Sequence, residues 1–232
     1  IVLTKRANGA ASKIELAGFP HHALDNYLPK LVRAGQRVAI CDQLEDPKLA
    51  KGIVKRGVTE LVTPGISLND NVLDVKQNNY LAAIHFPVKA GSFEGSGHPG
   101  SIRDHQKQDS AITGISFLDI STGEFLTSQG DDTYIDKLLQ SLNPTEVLYN
   151  KSQRKIFQQK YADSYHTWQL DEWVFQHDYG CEKLTDHFGT RSLKGFGIEK
   201  LEAGIISAGA ILHYLSETEH HDIKHIAGIA RV

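Results

Sequence analysis

The residues best placed to do chemistry are carboxylates and histidines. Asp119, at the end of a β-hairpin strand, and Glu124, Asp136 and Asp171 elsewhere are of the type that gathers to hold two divalent cations for phosphodiester cleavage. No tight motif groups them, and hairpin turns and helix caps select Asp and Glu for their own reasons. His220 and His221 precede His225, so the chain holds one i, i+4 imidazole pair of the kind that ligates zinc on a helix, with Asp222 beside it. That segment follows the end of a helix, has no further ligand cluster, and reads as solvated. Phosphate-binding and nucleophile motifs are missing. There is no Gly-x-x-x-x-Gly-Lys-[Ser/Thr] loop and no Gly-x-Ser-x-Gly elbow, and Gly195-Phe196-Gly197 lacks the third glycine and the preceding strand of a dinucleotide fingerprint. The sequence presents no self-contained catalytic centre and no metal site.

Hydrophobic residues make up 40% and charged residues 23% of 232, the balance of a folded globular chain. No apolar run reaches the ~20 residues that span a bilayer, and Cys41 and Cys181 have no partner at metal spacing, so reduced thiols in a cytoplasmic protein are expected. Residues 1–65 carry ten Lys/Arg against six Asp/Glu, while the remainder carries fifteen against twenty-two. This asymmetry suggests two modules with different partners, the first tolerant of nucleic acid. The chain begins with Ile1 and contains no methionine, and is expected to be a piece of a longer protein.

The first module must position its charges on a small α/β unit. The short β-branched run at residues 1–4 predicts a strand, which Lys5, Arg6 and a polar stretch continue as a flexible loop. Gly18-Phe19-Pro20 introduces a helix with Ala23, Tyr27, Leu28, Leu31 and Val32 on one face. Pro29 predicts a kink there or a later start. Val38-Ala39-Ile40-Cys41 reads as a buried strand, Asp46-Pro47 as the cap and first residue of a short helix, and the alternation from Val54 to Val62 as a strand. The expected order is βαβ(α)β.

Residues 66–78 read as a linker. Tyr80-Leu81-Ala82-Ala83-Ile84 then predicts a buried strand, and residues 88–110 a long exposed loop. Residues 112–120 and 124–128 flank a Ser121-Thr122-Gly123 turn. A helix carrying Tyr134, Ile135, Leu138, Leu139 and Leu142, a strand at Val147-Leu148-Tyr149, a helix near residues 153–160 and a short strand near Trp168 complete a mixed sheet with flanking helices. The last third is helical. Its near-continuous small and aliphatic run at residues 203–215 predicts a buried interdomain helix in which Gly204 and Gly209 allow close packing.

Several strings resemble the MutS family of mismatch-repair proteins. They include Leu3-Thr4-Lys5-Arg6, Ala17-Gly18-Phe19-Pro20-His21-His22-Ala23 and Val38-Ala39-Ile40-Cys41-Asp42-Gln43-Leu44-Glu45-Asp46-Pro47. Thr63-Pro64-Gly65, Asn79-Tyr80-Leu81-Ala82-Ala83-Ile84, Phe117-Leu118-Asp119-Ile120-Ser121-Thr122-Gly123-Glu124-Phe125 and Phe188-Gly189-Thr190-Arg191 follow in the family's order. Ile66 where the family has Thr, the longer 88–110 loop and Pro29 depart from its pattern.

The resemblance implies an α/β fold in which residues 1–65 form the C-terminal part of a mismatch-recognition domain. Residues 66–78 would be a linker, 79–216 a connector domain with a ribonuclease-H-like fold and no nuclease activity, and 217–232 the start of the lever and core domain. It further implies a homodimer on kinked double-stranded DNA, an aromatic wedge from a Phe-x-Glu motif upstream of Ile1, and an ATP- and Mg2+-dependent site downstream of Val232. This chain by itself would be no enzyme. Lys5, Arg6 and Lys13 become candidate phosphate contacts and Leu16 a candidate minor-groove contact. Glu182 and Lys183 become candidates for docking a MutL-type partner. A metal-dependent nuclease and a MutS relative working in recombination are the competing readings.

Overall fold

The computed structural model describes residues 2–8, 12–49, 52–66, 78–87, 112–161 and 164–232. The chain divides into two compact units, Ile1–Asn78 and Asn79–Val232. The segments expected as a linker and as a long loop fall largely outside the described residues.

In the first unit, β1 (Val2–Asn8) and β2 (Ser12–Gly18) form an antiparallel hairpin. The expected loop after Thr4 is thus strand, and β2 is a second strand beyond those expected. Strand β1 carries no alternating apolar face, whereas in β2 Ile14 and Leu16 alternate with Lys13 and Glu15, a short strand-like signal. Helix α1 (Leu24–Arg33) runs through Pro29 after a single 3-10 turn at His21–Ala23, so the later start does not occur. Strands β3 (Val38–Gln43) and β4 (Arg56–Val62) pair antiparallel, with a register shift between Ile40 and Cys41. The order is therefore ββαββ, not βαβ(α)β.

Strand β3 is not buried as expected, and Cys41 is exposed. One face of a two-stranded sheet meets α1, and the core there is only Leu28, Val32 and Val62, with Leu24, Val38 and Ile40 partly covered. The expected helix at Asp46 is a turn among the described residues, where the Asp46 carboxylate accepts the Lys48 N–H at 2.9 Å. After β4, Thr63 and Ile66 exchange two backbone hydrogen bonds at 3.2 Å, and both residues are buried.

The second unit is built around β5 (Tyr80–His85), whose side chains are buried from Tyr80 to Ile84. Strands β6 (Thr113–Asp119) and β7 (Glu124–Gly130) continue it as an antiparallel meander, while β8 (Glu146–Asn150) and β9 (His166–Leu170) lie parallel on its other side. With β10 (Ala230–Arg231) parallel to β7, the sheet order is β10-β7-β6-β5-β8-β9. One face carries a core from Tyr80, Ala82, Ile84, Phe117, Val147 and Tyr149 against α2 (Asp132–Leu142) and α3 (Arg154–Tyr161). Phe157 of α3 stacks on Tyr149 with ring centroids 4.2 Å apart.

The opposite face is covered by α5 (Glu202–Glu217), which packs on β5, β6 and β7 and against α4 (His177–Phe188). The expected interdomain helix is therefore the central helix of this unit's own layer. Small residues explain how closely it lies: a Cβ added to Gly209 would sit 2.4 Å from the Gly180 Cα. Hydroxyls close the seam with the sheet. Ser116 Oγ meets Ser207 Oγ at 2.8 Å and Thr127 Oγ1 donates to the Gly204 carbonyl at 3.1 Å, so the polar atoms buried there are paired.

The segment after α5 is also tied to this unit rather than solvated. His220 is 7% exposed, with Nδ1 3.1 Å from Thr218 Oγ1. The His225 Nε2–H donates to the Ile120 carbonyl at 2.6 Å, and Val232 N–H donates to the Thr127 carbonyl at 3.1 Å.

Candidate functional site

The hairpin of the first unit separates the residues expected to meet DNA. Its register pairs Lys5 with Glu15, Arg6 with Ile14, Ala7 with Lys13 and Thr4 with Leu16. Residues directly opposite share a face, and alternate residues of a strand do too. Positions 5 and 13 therefore lie on one face of the ribbon, and positions 6 and 16 on the other. Lys5 is exposed opposite an exposed Glu15, which offsets its charge, and Leu16 is 49% exposed. The side chains of Arg6 and Lys13 lie outside what is described. The ribbon presents cationic positions on both faces rather than one basic patch.

The carboxylates considered for metal-assisted cleavage do not converge. Asp119 is 1% exposed and accepts the N–H and Oγ–H of Ser121 at 2.9 and 2.6 Å and the Asn79 N–H at 3.2 Å. It thereby caps the β6–β7 turn and anchors the start of β5. Glu124 accepts the Tyr80 hydroxyl and Asp136 the Tyr161 hydroxyl, the latter at 2.7 Å. His221 lies 2.9 Å from Glu219, and His220 and His225 make the separate contacts described above. Among the described residues, no three His, Cys, Asp or Glu side chains group to hold a metal ion.

Glu182 and Lys183, by contrast, stand beside a cluster that the sequence did not reveal. They lie on α4, which ends in a left-handed Gly189. Lys183 Nζ sits 5.5 Å from the Tyr179 ring centroid, and Glu182 is exposed. The Tyr179 hydroxyl lies 2.7 Å from His213 Nδ1, and His213 Nε2 lies 3.3 Å from Glu217 Oε1. Burial holds the His213 imidazole below its usual pKa, although Glu217 opposes this. A neutral ring accepts the tyrosine proton at Nδ1 and donates from Nε2 to the carboxylate. Burial, then the Glu182 and Glu217 carboxylates, raises the Tyr179 pKa, so its hydroxyl cannot serve as a base at neutral pH.

Trp173, in the turn Glu172–Phe175, meets both rings edge-on, 5.1 Å from Tyr179 and 5.0 Å from His213, and stays 52% exposed. The cluster orients aromatic surface. Its sequence signal was slight: Tyr179 and Lys183 at i, i+4 on a helix, close after Trp168 and Trp173, the two tryptophans of the chain.

The chain thus comprises a small unit with a charged hairpin and a second unit built on a six-stranded mixed sheet. Family models match both units. That of MutS domain I matches residues 1–71, and that of MutS domain II matches residues 79–227. The chain belongs to the MutS family. It is 60% identical over all 232 residues to the DNA mismatch repair protein MutS of Cytophaga hutchinsonii, 55% to that of Flavobacterium psychrophilum and 54% to that of Bacteroides thetaiotaomicron. It spans 24% of the length of each of these relatives. Among the described residues, no helix is long and apolar enough to cross a membrane.

Proposed function

We propose that this chain works within a cytoplasmic DNA mismatch repair protein, where its first unit supports the part that reads mispaired or unpaired bases in duplex DNA. Its second unit is the connector, which relays between the DNA clamp and the ATPase and docks a MutL-type partner. The observation that carries this reading is the match of both units, in order, to two consecutive MutS domains, with 60% identity to a mismatch repair protein along the whole chain.

In this reading Lys5, Arg6 and Lys13 neutralise phosphates and Leu16 lies toward the minor groove. The division of the hairpin between two faces then asks the ribbon to stand edge-on in its site. Glu182 and Lys183 belong to the docking surface. The antiparallel meander β5-β6-β7 with parallel β8 and β9 on its other side supports a ribonuclease-H-like reading of the connector. The use of Asp119 as a turn cap favours a connector over a nuclease. Residues 1–65, 66–78, 79–216 and 217–232 serve as reading domain, linker, connector and entry to the lever. The homodimer contacts, ATP and Mg2+ fall to the rest of the longer protein, and the chain alone is no enzyme.

The test is a graft. In the Cytophaga hutchinsonii relative, the segment matching this chain is replaced by it, and the mutation rate of a repair-deficient strain carrying the chimera is measured. Restoration of a low rate is expected. A folded, expressed chimera that leaves the rate at the deficient level would sink the proposal.

A further inference from the structure

We infer that the aromatic, acidic face formed by Trp173, Tyr179, His213, Glu182 and Glu217 binds a basic, arginine-bearing segment of a partner protein, with a guanidinium laid on the Trp173 indole. This deepens the docking reading above and rests on it only for the identity of the partner.

Three observations converge on that chemistry. The first is aromatic area: Trp173 remains half exposed although Tyr179 and His213 already hold it from one side. A fixed, half-exposed indole is the residue type that dominates binding energy at protein interfaces and the best aromatic partner for a cation. The second is charge. Glu182 and Glu217 raise the pKa of the Tyr179 hydroxyl, and Asp171 and Glu217 act on His213. Three carboxylates thus surround the rings against one ammonium, Lys183, and burial keeps His213 itself neutral. The third is preorganisation. The Tyr179–His213–Glu217 chain of hydrogen bonds fixes the rings and leaves Glu182 at the exposed rim.

The same charges argue against other occupants. A phosphate backbone is repelled by the carboxylates, and a second copy docking face to face would set like charges against each other. Arginine suits the site better than lysine because its planar guanidinium stacks on an indole and still pairs with a carboxylate in the ring plane.

Replacing Trp168 by Phe leaves Trp173 as the single indole reporter in the full 232-residue chain. A short peptide of arginine and leucine is titrated against its fluorescence. The expected result is saturable quenching that disappears when glutamate replaces the arginines and weakens when lysine does. Affinity should fall about tenfold in a Glu182→Lys/Glu217→Gln variant and stay unchanged in Glu199→Lys, an exposed site outside the cluster. Equal losses in both variants would mean that net charge alone attracts the peptide, and would overturn the inference. Absence of saturable quenching does so too, as does self-association of the chain that Trp173→Phe or Trp173→Ala abolishes, which would assign the face to a second copy.

A parallel pull-down with a MutL-type protein separates the two readings. Equal binding to wild type and to the Glu182→Lys/Glu217→Gln variant keeps the docking reading and overturns this surface. No binding to wild type, with the peptide behaving as expected, removes the docking reading and keeps the surface.

Discussion

The two units spend their apolar residues in opposite ways. In the first, Leu3, Leu16, Leu44, Leu49, Ile53 and Val58 are exposed, and a core of Leu28, Val32 and Val62 holds one helix to a two-stranded sheet. In the second, a central strand is buried along almost its whole length between two helical layers, and α5 is buried from Ala203 to Gly209 except at one position. Two-stranded sheets are marginal unless a further layer covers them, whereas a six-stranded sheet covered on both faces carries its own stability. Surface left apolar and loosely held is suited to being completed by a ligand, and a stiff, double-layered sheet is suited to transmitting a displacement. The contrast is what the proposed roles of reading unit and relay ask for.

The sharpest way to break that contrast is at the glycine crossing of α4 and α5. Gly209→Ala places a methyl carbon 2.4 Å from the Gly180 Cα, a backbone atom that cannot swing aside. The helices must separate, at a cost on the order of 3 kcal/mol, and the hydroxyl seam with β6 and β7 is strained as they do. Urea denaturation followed by a probe in each unit should show the second unit's midpoint falling sharply while that of the first stays put. Equal shifts in both would show that the units unfold as one body and that the division is not energetic.

Acid should distinguish the units next. Burial lowers the His85 pKa from 6.5 to about 4, and its Nδ1 is buried without a hydrogen-bond partner. The ring stacks on Phe175, with centroids 6.1 Å apart. The folded state thus refuses a proton that the unfolded chain accepts between pH 6.5 and about 4, and stability contributed by this residue is lost as pH falls through that window. Between pH 7 and pH 5 the loss is about 2 kcal/mol. His85→Leu should flatten the pH dependence of the second unit's unfolding free energy. An unchanged slope would place the acid sensitivity elsewhere.

How much of this was readable in the residues also differs between the units. The second announced itself: Tyr80-Leu81-Ala82-Ala83-Ile84, the glycine turn at Ser121-Thr122-Gly123 and the i, i+3, i+4 spacing in α2 each carry a periodicity that only one element satisfies. The hairpin of the first unit is fainter: Lys5-Arg6-Ala7-Asn8 alternates nothing apolar, and in β2 only Ile14 and Leu16 alternate with Lys13 and Glu15, too short a run to single out one element. Strand β3 reads as buried because Val38-Ala39-Ile40-Cys41 is apolar throughout, yet burial depends on how many layers cover a strand, which a local string does not record. The Trp173 cluster was hidden for a related reason. Its members come from the turn after β9 and from α4 and α5, so that neither Tyr179 nor His213 implies the other until two helices are packed.

The smallest effect concerns a cost that the second unit carries within its otherwise tight fold. Helices α4 and α5 end alike: Thr190 N–H returns to the Thr185 carbonyl at 3.0 Å, and His220 N–H to the Leu215 carbonyl at 2.9 Å. Each ending needs one residue in the left-handed region. In α4 this is Gly189, at φ 61°, and in α5 it is Glu219, at φ 64°. A side chain there is disfavoured by about 1 kcal/mol, while the Glu219–His221 contact at 2.9 Å lies between exposed groups and returns only a few tenths. Glu219→Gly should therefore stabilise the second unit by about 0.5 kcal/mol and leave the first untouched, widening the gap between their midpoints. Differential scanning calorimetry of the variant at neutral pH reads this directly. A lower midpoint would show that the Glu219–His221 pair holds the segment after α5 more firmly than its exposure implies.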